Sequence, residues 1–249
     1  MFKFLVNPQM LLTCILCGLH YGNLQSWACD IPLLFIGANY SGTFGAYMTF
    51  GHLTTNAIGA TLLSFVQQKF PMREKQLLFF LVIINLIFCA FFVPTFGVGK
   101  ATGTTYEEGD DPDTASDTFN VPWRIPEKLL GALVVIHGLF AGACLPAYLV
   151  AGAELGYPVS DGVSGGIVTL FVFIAMFIVP LLYAWIGIGY VNVLTLVLVV
   201  LLFILLFFLK IDYKRTAAET AGKEADSLNL TPKGVEMSEL SDEESNDAK

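Results

Sequence analysis

Ala153-Glu154-Leu155-Gly156-Tyr157-Pro158-Val159-Ser160-Asp161-Gly162-Val163-Ser164-Gly165-Gly166 is a short polar hairpin between two apolar runs, Leu129 to Ala151 and Ile167 to Ile186. Each run is long enough to cross a bilayer, whose hydrocarbon core of about 30 Å needs about 20 helical residues. Lipid offers no partner to open backbone, so such a hairpin belongs at one face of a membrane. Pro158 and the glycines end one helix and let the next begin close by. Glu154 and Asp161 are too costly to leave facing acyl chains.

Composition agrees with this reading. The chain has 249 residues, 55% of them hydrophobic and 14% charged, with 21 Phe. Its mean hydropathy is +0.67. Soluble domains are less apolar and more charged. The net charge of −8 is concentrated: residues 97–127 carry two basic and seven acidic side chains and residues 216–249 three and nine, so the remainder is +3. The acidity therefore belongs to two aqueous segments. No cleavable leader is expected, because Gln25, Trp27 and Asp30 stand where small residues would mark a cleavage site. Cys14, Cys17, Cys89 and Cys144 lie inside apolar runs and Cys29 lies near one, which reads as packing rather than a disulfide framework.

Six spans are predicted, at about 8–29, 41–67, 77–95, 127–151, 163–186 and 191–210. The first starts at Asn7-Pro8, a good helix start, and carries His20, Tyr21, Asn23, Gln25 and Trp27, too polar a set for lipid. Asp30 follows about 33 Å from Pro8 at 1.5 Å per residue, at the membrane mouth. The second is rich in Gly, Ala, Ser and Thr, the residues that let helices approach closely. The third is apolar apart from Asn85, the fourth carries His137, Gly138, Gly142 and Cys144, and the sixth is almost wholly aliphatic and aromatic. Polar or small residues mark helices one, two, four and five, whereas three and six read as lipid-facing. This is a three-plus-three pattern, and hydropathy alone is also compatible with another six-helix bundle. The segments at 97–126 and 216–249 are expected to be an acidic outer loop and a disordered acidic tail.

Orientation follows from the basic residues. Lys3, Lys69, Arg73, Lys75, Lys210, Lys214 and Arg215 share one side, against Lys100, Arg124 and Lys128 on the other. The positive-inside rule then puts both termini and the Glu154 hairpin in the cytoplasm, in a plasma or organelle membrane. Nothing in the sequence carries an enzyme signature, a metal or cofactor motif, or a nucleic-acid footprint. The expected partners are the bilayer and a small solute.

The histidines His20, His52 and His137 all fall within spans. Each either hydrogen-bonds between helices or serves a solute, a haem iron or a proton. Tyr21 and Trp27 either offer π faces to a quaternary ammonium group or, for Trp27, sit in the interfacial aromatic belt, while Gln25 can hydrogen-bond a hydroxyl.

The run Glu154-Leu155-x-Tyr157-Pro158 followed by Gly162-x-Ser164-x-Gly166 resembles the loop between helices ten and eleven of major facilitator carriers, above all the feline leukaemia virus subgroup C receptor family. The likeness extends more weakly from Asn7 to about Lys214, with Gly18 and Gly22 on the small residues of that family's seventh helix. The resemblance implies the C-terminal six-helix half of a twelve-helix carrier for a solute such as choline, ethanolamine or haem. Together with the residues singled out above, it gives substrate contacts at His20, Tyr21, Gln25, Trp27, His137 and Phe173; Phe173 stands where the family has a glutamine, and Gln25 near where its seventh helix has an aromatic. Glu154, Tyr157 and Pro158 become gating residues, with Glu154 pairing with a base or capping a helix across the inner mouth, or else simply holding the hairpin. Such a half requires a second copy or an N-terminal half-carrier. The other expectation is a non-transporting membrane scaffold or a truncated carrier.

Overall fold

Asn7 opens the first helix by accepting a 3.0 Å hydrogen bond from the Gln9 amide through its side chain, with Pro8 at the first helical position. This is the start expected from a residue whose missing N–H costs nothing there. The structure, a computed structural model, describes residues 7–70, 72–99 and 120–229. The chain runs through α1 (Pro8–Cys17), a π turn (Gly18–Gly22), α2 (Asn23–Cys29), α3 (Ile31–Gly37), α4 (Gly42–Lys69), α5 (Glu74–Phe96), α6 (Glu127–Gly156), α7 (Asp161–Ile186), a 3₁₀ turn (Ile188–Tyr190), α8 (Val191–Leu206) and α9 (Lys214–Asn229). Among the described residues the fold is all-helical apart from an isolated bridge between Val98 and Asn120.

Among the described residues, four helical stretches are long and apolar enough to cross a membrane: Glu74–Phe96, Glu127–Gly156, Asp161–Ile186 and Ile188–Leu206. These are consistent with a multi-pass membrane protein. The other two expected spans differ for physical reasons. α4 has 28 residues, ample length, but its glycines, threonines, His52, Asn56 and glutamines lower its apolarity. The first is divided by the π turn and again at Asp30, beyond which helix resumes as α3. Pro32 does not stop it, because a proline in a first turn has no intrahelical N–H to lose.

α4 and α6 pack with their backbones in contact. A Cβ added at Gly59 would overlap the Leu139 carbonyl, and one at Gly142 would overlap that of Asn56. Thr55 Oγ1 adds a 2.6 Å bond to the Val135 carbonyl across the same seam. Close approach of small residues is how helices associate where lipid supplies no hydrophobic drive. α7 buries a narrower stripe, Ser164, Val168, Val172, Val179 and Tyr183, with Ile167, Phe171 and Met176 half-buried beside it.

One end of the bundle brings together the start of α1, the end of α6 and the segment after α8. The Asn7 side chain donates to the Leu155 carbonyl at 3.3 Å, and the Lys210 amide donates to Gln9 Oε1 at 2.7 Å. At the other end Tyr40 donates to the Ile125 carbonyl and the Ser41 amide to Glu127, each at 2.8 Å. The quoted hairpin is shorter than expected. α6 runs on to Gly156 and α7 starts at Asp161, because only Pro158 enforces a break, holding Tyr157 extended before it. The expected acidic loop lies mostly at 100–119 and the end of the tail at 230–249, outside the described residues. The nearer part of the tail, where composition suggests no order, is the helix α9: its Ala- and Glu-rich stretch has good helix formers, and Arg215 pairs with Glu219 at 2.8 Å.

Candidate functional site

The polar residues of the first helix enter the bundle interior where the π turn is. Gly18 and Gly22 lie against α7, so that a Cβ at Gly18 would come within 2.8 Å of the Phe171 carbonyl and one at Gly22 within 2.7 Å of Ala175. With the first helix pressed there, His20 is fully buried among α5 and α6. Its Nδ1 lies 3.2 Å from the Tyr148 hydroxyl, and its Nε2 lies 3.1 Å from Asn85 Nδ2 and 3.5 Å from Cys144 Sγ. An amide NH₂ only donates, so the geometry fits a neutral imidazole that accepts at Nε2 and donates from Nδ1 to the Tyr148 oxygen. Both nitrogens are engaged within the chain.

One helical turn and more beyond, Trp27 is 1% exposed and its Nε1 donates to Asn192 Oδ1 at 2.8 Å. Its ring stacks on Phe92 at 5.1 Å and meets His137 edge-on at 5.2 Å. It is therefore a core residue rather than part of an interfacial belt. His137 also packs against Phe88 and His52, each at 5.4 Å between ring centroids. Among the described residues, neither His52 nor His137 has a hydrogen-bond partner for either nitrogen. Nearby, Asn23 Oδ1 accepts from the Tyr183 hydroxyl at 2.8 Å, and that hydroxyl lies 2.7 Å from Thr195 Oγ1.

Of the solute residues expected from the sequence, Trp27 and His137 are thus in contact, while His20 sits in its own cluster. Tyr21 donates to Asn56 Oδ1 at 3.1 Å, and Gln25 is 9% exposed. Phe173 stands apart, 62% exposed on the outer side of α7. Asn85, Tyr148, Asn56 and Asn192 are the further buried polar residues that these contacts draw in. Asn85 carries a clear signal, as the polar residue midway along an otherwise apolar span, and Asn192 stands out with Thr195 in the sixth.

The Glu154 end is a separate region. Glu154 is 3% exposed and accepts from the Thr216 amide at 3.3 Å and from the Thr216 hydroxyl, so its carboxylate sits on the first turn of α9. A carboxylate there is favoured by the unpaired amides and the helix dipole. Arg215 bridges to Asp161 at 3.0 Å, tying α9 to the start of α7. Tyr157 and Pro158 are exposed at the turn between the two helices. A cleft of about 670 Å³ opens between α4, α6 and α9, lined by Gln67, Glu74, Glu154, Arg215, Thr216 and Glu219 among others. Tyr213, just before α9, is pushed up to about 12 by burial and by the Glu74 carboxylate beside it.

No protein-family model and no curated protein matches this chain.

Proposed function

We propose that the chain is a six-helix half of a major facilitator type secondary carrier, built as a three-plus-three repeat. It resembles the feline leukaemia virus subgroup C receptor family and moves a small organic solute such as choline, ethanolamine or haem by alternating access. In this reading both termini are cytoplasmic. A second copy or an N-terminal half supplies the other wall of the solute path, and the Glu154 hairpin gates its inner mouth. Carriers of this kind hold solute near the bilayer midplane between the halves.

The observation that carries the reading is the buried polar content of an otherwise apolar bundle. His20, Asn85, Tyr148, Tyr21 and Asn56 meet across four different helical segments rather than facing lipid. Polar side chains at membrane depth are expensive and mark solute or ion paths more often than they serve packing alone. The capping of α9 by Glu154 supports the gate, since it is a polar closure that can break without exposing backbone to lipid.

One observation favours the second reading, a non-transporting membrane scaffold: His20 and the Trp27 indole are satisfied inside the chain, with no solute required. Proteoliposomes distinguish the two. Uptake of labelled choline, ethanolamine or haem by the chain alone, or only when an N-terminal half is added, supports the carrier; no uptake in either case supports the scaffold.

A further inference from the structure

Among the described residues, the cleft between α4, α6 and α9 holds two buried polar atoms without a partner, and they are complementary in kind. Glu74 is 4% exposed, and although the Tyr213 phenol lies beside its carboxylate, its Oε2, an acceptor, has no hydrogen-bond partner among the described residues. Gln67 is 7% exposed and its Nε2, a donor, meets no acceptor. Both line the cleft, together with Glu154. Glu74 is well placed on the first turn of α5, where the helix dipole favours its charge, but that leaves Oε2 unserved.

The cations close to it in sequence are turned elsewhere. Arg73 lies 6.0 Å from the Phe70 ring centroid, and Lys75 Nζ donates to the Leu209 carbonyl at 2.5 Å. Arg215, which lines the cleft, is shared between Asp161 and Glu219. Among the described residues the ion pairs are those two and Lys214 with Asp212, so none engages Glu74 or Glu154. The cleft is therefore left with more negative than positive charge, a buried acceptor asking for a charged donor, and a buried amide asking for an acceptor. A bound ligand relieves the cost of such orphaned groups when it supplies both partners at once.

We propose that this cleft binds a small organic ammonium ion carrying its own hydrogen-bond acceptor, with an N–H of the ammonium on Glu74 Oε2 and its hydroxyl oxygen on Gln67 Nε2. A quaternary ammonium has no N–H for Glu74, and a simple alkylamine has nothing for Gln67. The site lies at the end of the bundle away from the Trp27 and His137 contact, and it stands whether or not the chain transports.

Isothermal titration of the purified full chain in detergent, with 3-aminopropan-1-ol, propylamine and tetramethylammonium at matched ionic strength in sodium chloride, tests it. The amino alcohol is expected to bind most tightly, propylamine more weakly, and tetramethylammonium no better than the salt background. Glu74→Gln is expected to weaken amino-alcohol binding about tenfold or more, as loss of a charge-assisted bond does. Gln67→Leu is expected to reduce the amino alcohol to the level of propylamine, and this variant decides the matter if Glu74→Gln does not fold by size exclusion. Equal binding of the two amines by the parent chain, tetramethylammonium binding as well as either, or unchanged binding in a folded Glu74→Gln overturns the proposal. Because the titration involves no vesicles, its failure leaves the uptake result untouched, and the reverse.

Discussion

His20 shows what a single buried polar residue demands. With Asn85 donating to Nε2 and Tyr148 placed at Nδ1, the ring is held in one tautomer in the middle of the bundle. Replacing Asn85 by Leu leaves the Nε2 lone pair with only the Cys144 thiol at 3.5 Å. The expected loss is about 1 kcal/mol, since interhelical hydrogen bonds in membranes average about 0.6 and reach about 1.7 kcal/mol. Reversible unfolding in mixed micelles reads it directly, and a loss absent within error removes the cluster from the account of stability. Asp30, at the other end of the first helical stretch, behaves oppositely. Burial pushes its carboxyl up to about 6 from an ordinary 3.8. The folded chain therefore holds this proton more tightly than the unfolded one, so the residue's contribution to stability falls as pH rises from about 4 to about 6. Asp30→Asn is expected to remove that slope and to gain on the parent above pH 6. Parallel thermal melts of the two chains across this range check the sign, and a gain confined to low pH contradicts it.

At the scale of elements, the seam between α4 and α6 is the tightest part of the fold. A methyl at Gly142 has to displace the Asn56 carbonyl of a facing helix, so Gly142→Ala is expected to cost about 1–3 kcal/mol. Gly162 in the first turn of α7 is the control: nothing lies within 4 Å of its missing Cβ, and Ala there is expected to be neutral or to gain up to about 0.5–1 kcal/mol from helix propensity. Unfolding of both variants in the same micelles tests the contrast, and equal effects rule out close packing as the reason for Gly142. How much of this was readable beforehand differs by feature. The small-residue content of α4 announced a packed helix, and Pro158 announced the turn, because both act through local sterics. The partnership of His20 with Asn85, 65 residues away, was not readable: hydropathy tells which side chains avoid lipid, not which of them meet. Phe173, expected from the resemblance, stands on a face of α7 that is exposed in the chain by itself. The helix α9 escaped composition because its order rests on the Glu154 and Asp161 contacts as much as on propensity, and short isolated helices are marginal in water.

For the whole molecule, the cysteines make the side on which each face lies measurable. Cys14, Cys17, Cys89 and Cys144 are buried and Cys29 is exposed, at the C-terminal end of α2. The helix start at Asn7 is bonded to Leu155, and Lys210 to Gln9, so Cys29 lies far along the first helical stretch from the end where α1, the hairpin and α9 meet. If the excess of lysine and arginine at that gathered end fixes it in the cytoplasm, the Cys29 thiol faces the opposite aqueous phase. A membrane-impermeant maleimide applied to sealed right-side-out vesicles is then expected to label the chain once. The same reagent outside sealed inside-out vesicles is expected to leave it unlabelled until detergent is added. Cys29→Ser has to abolish the signal, which assigns it to that thiol. Labelling from the cytoplasmic face instead inverts the topology, moves the Glu154 hairpin and the Glu74 cleft to the outer surface, and makes the gate proposed here an outer one.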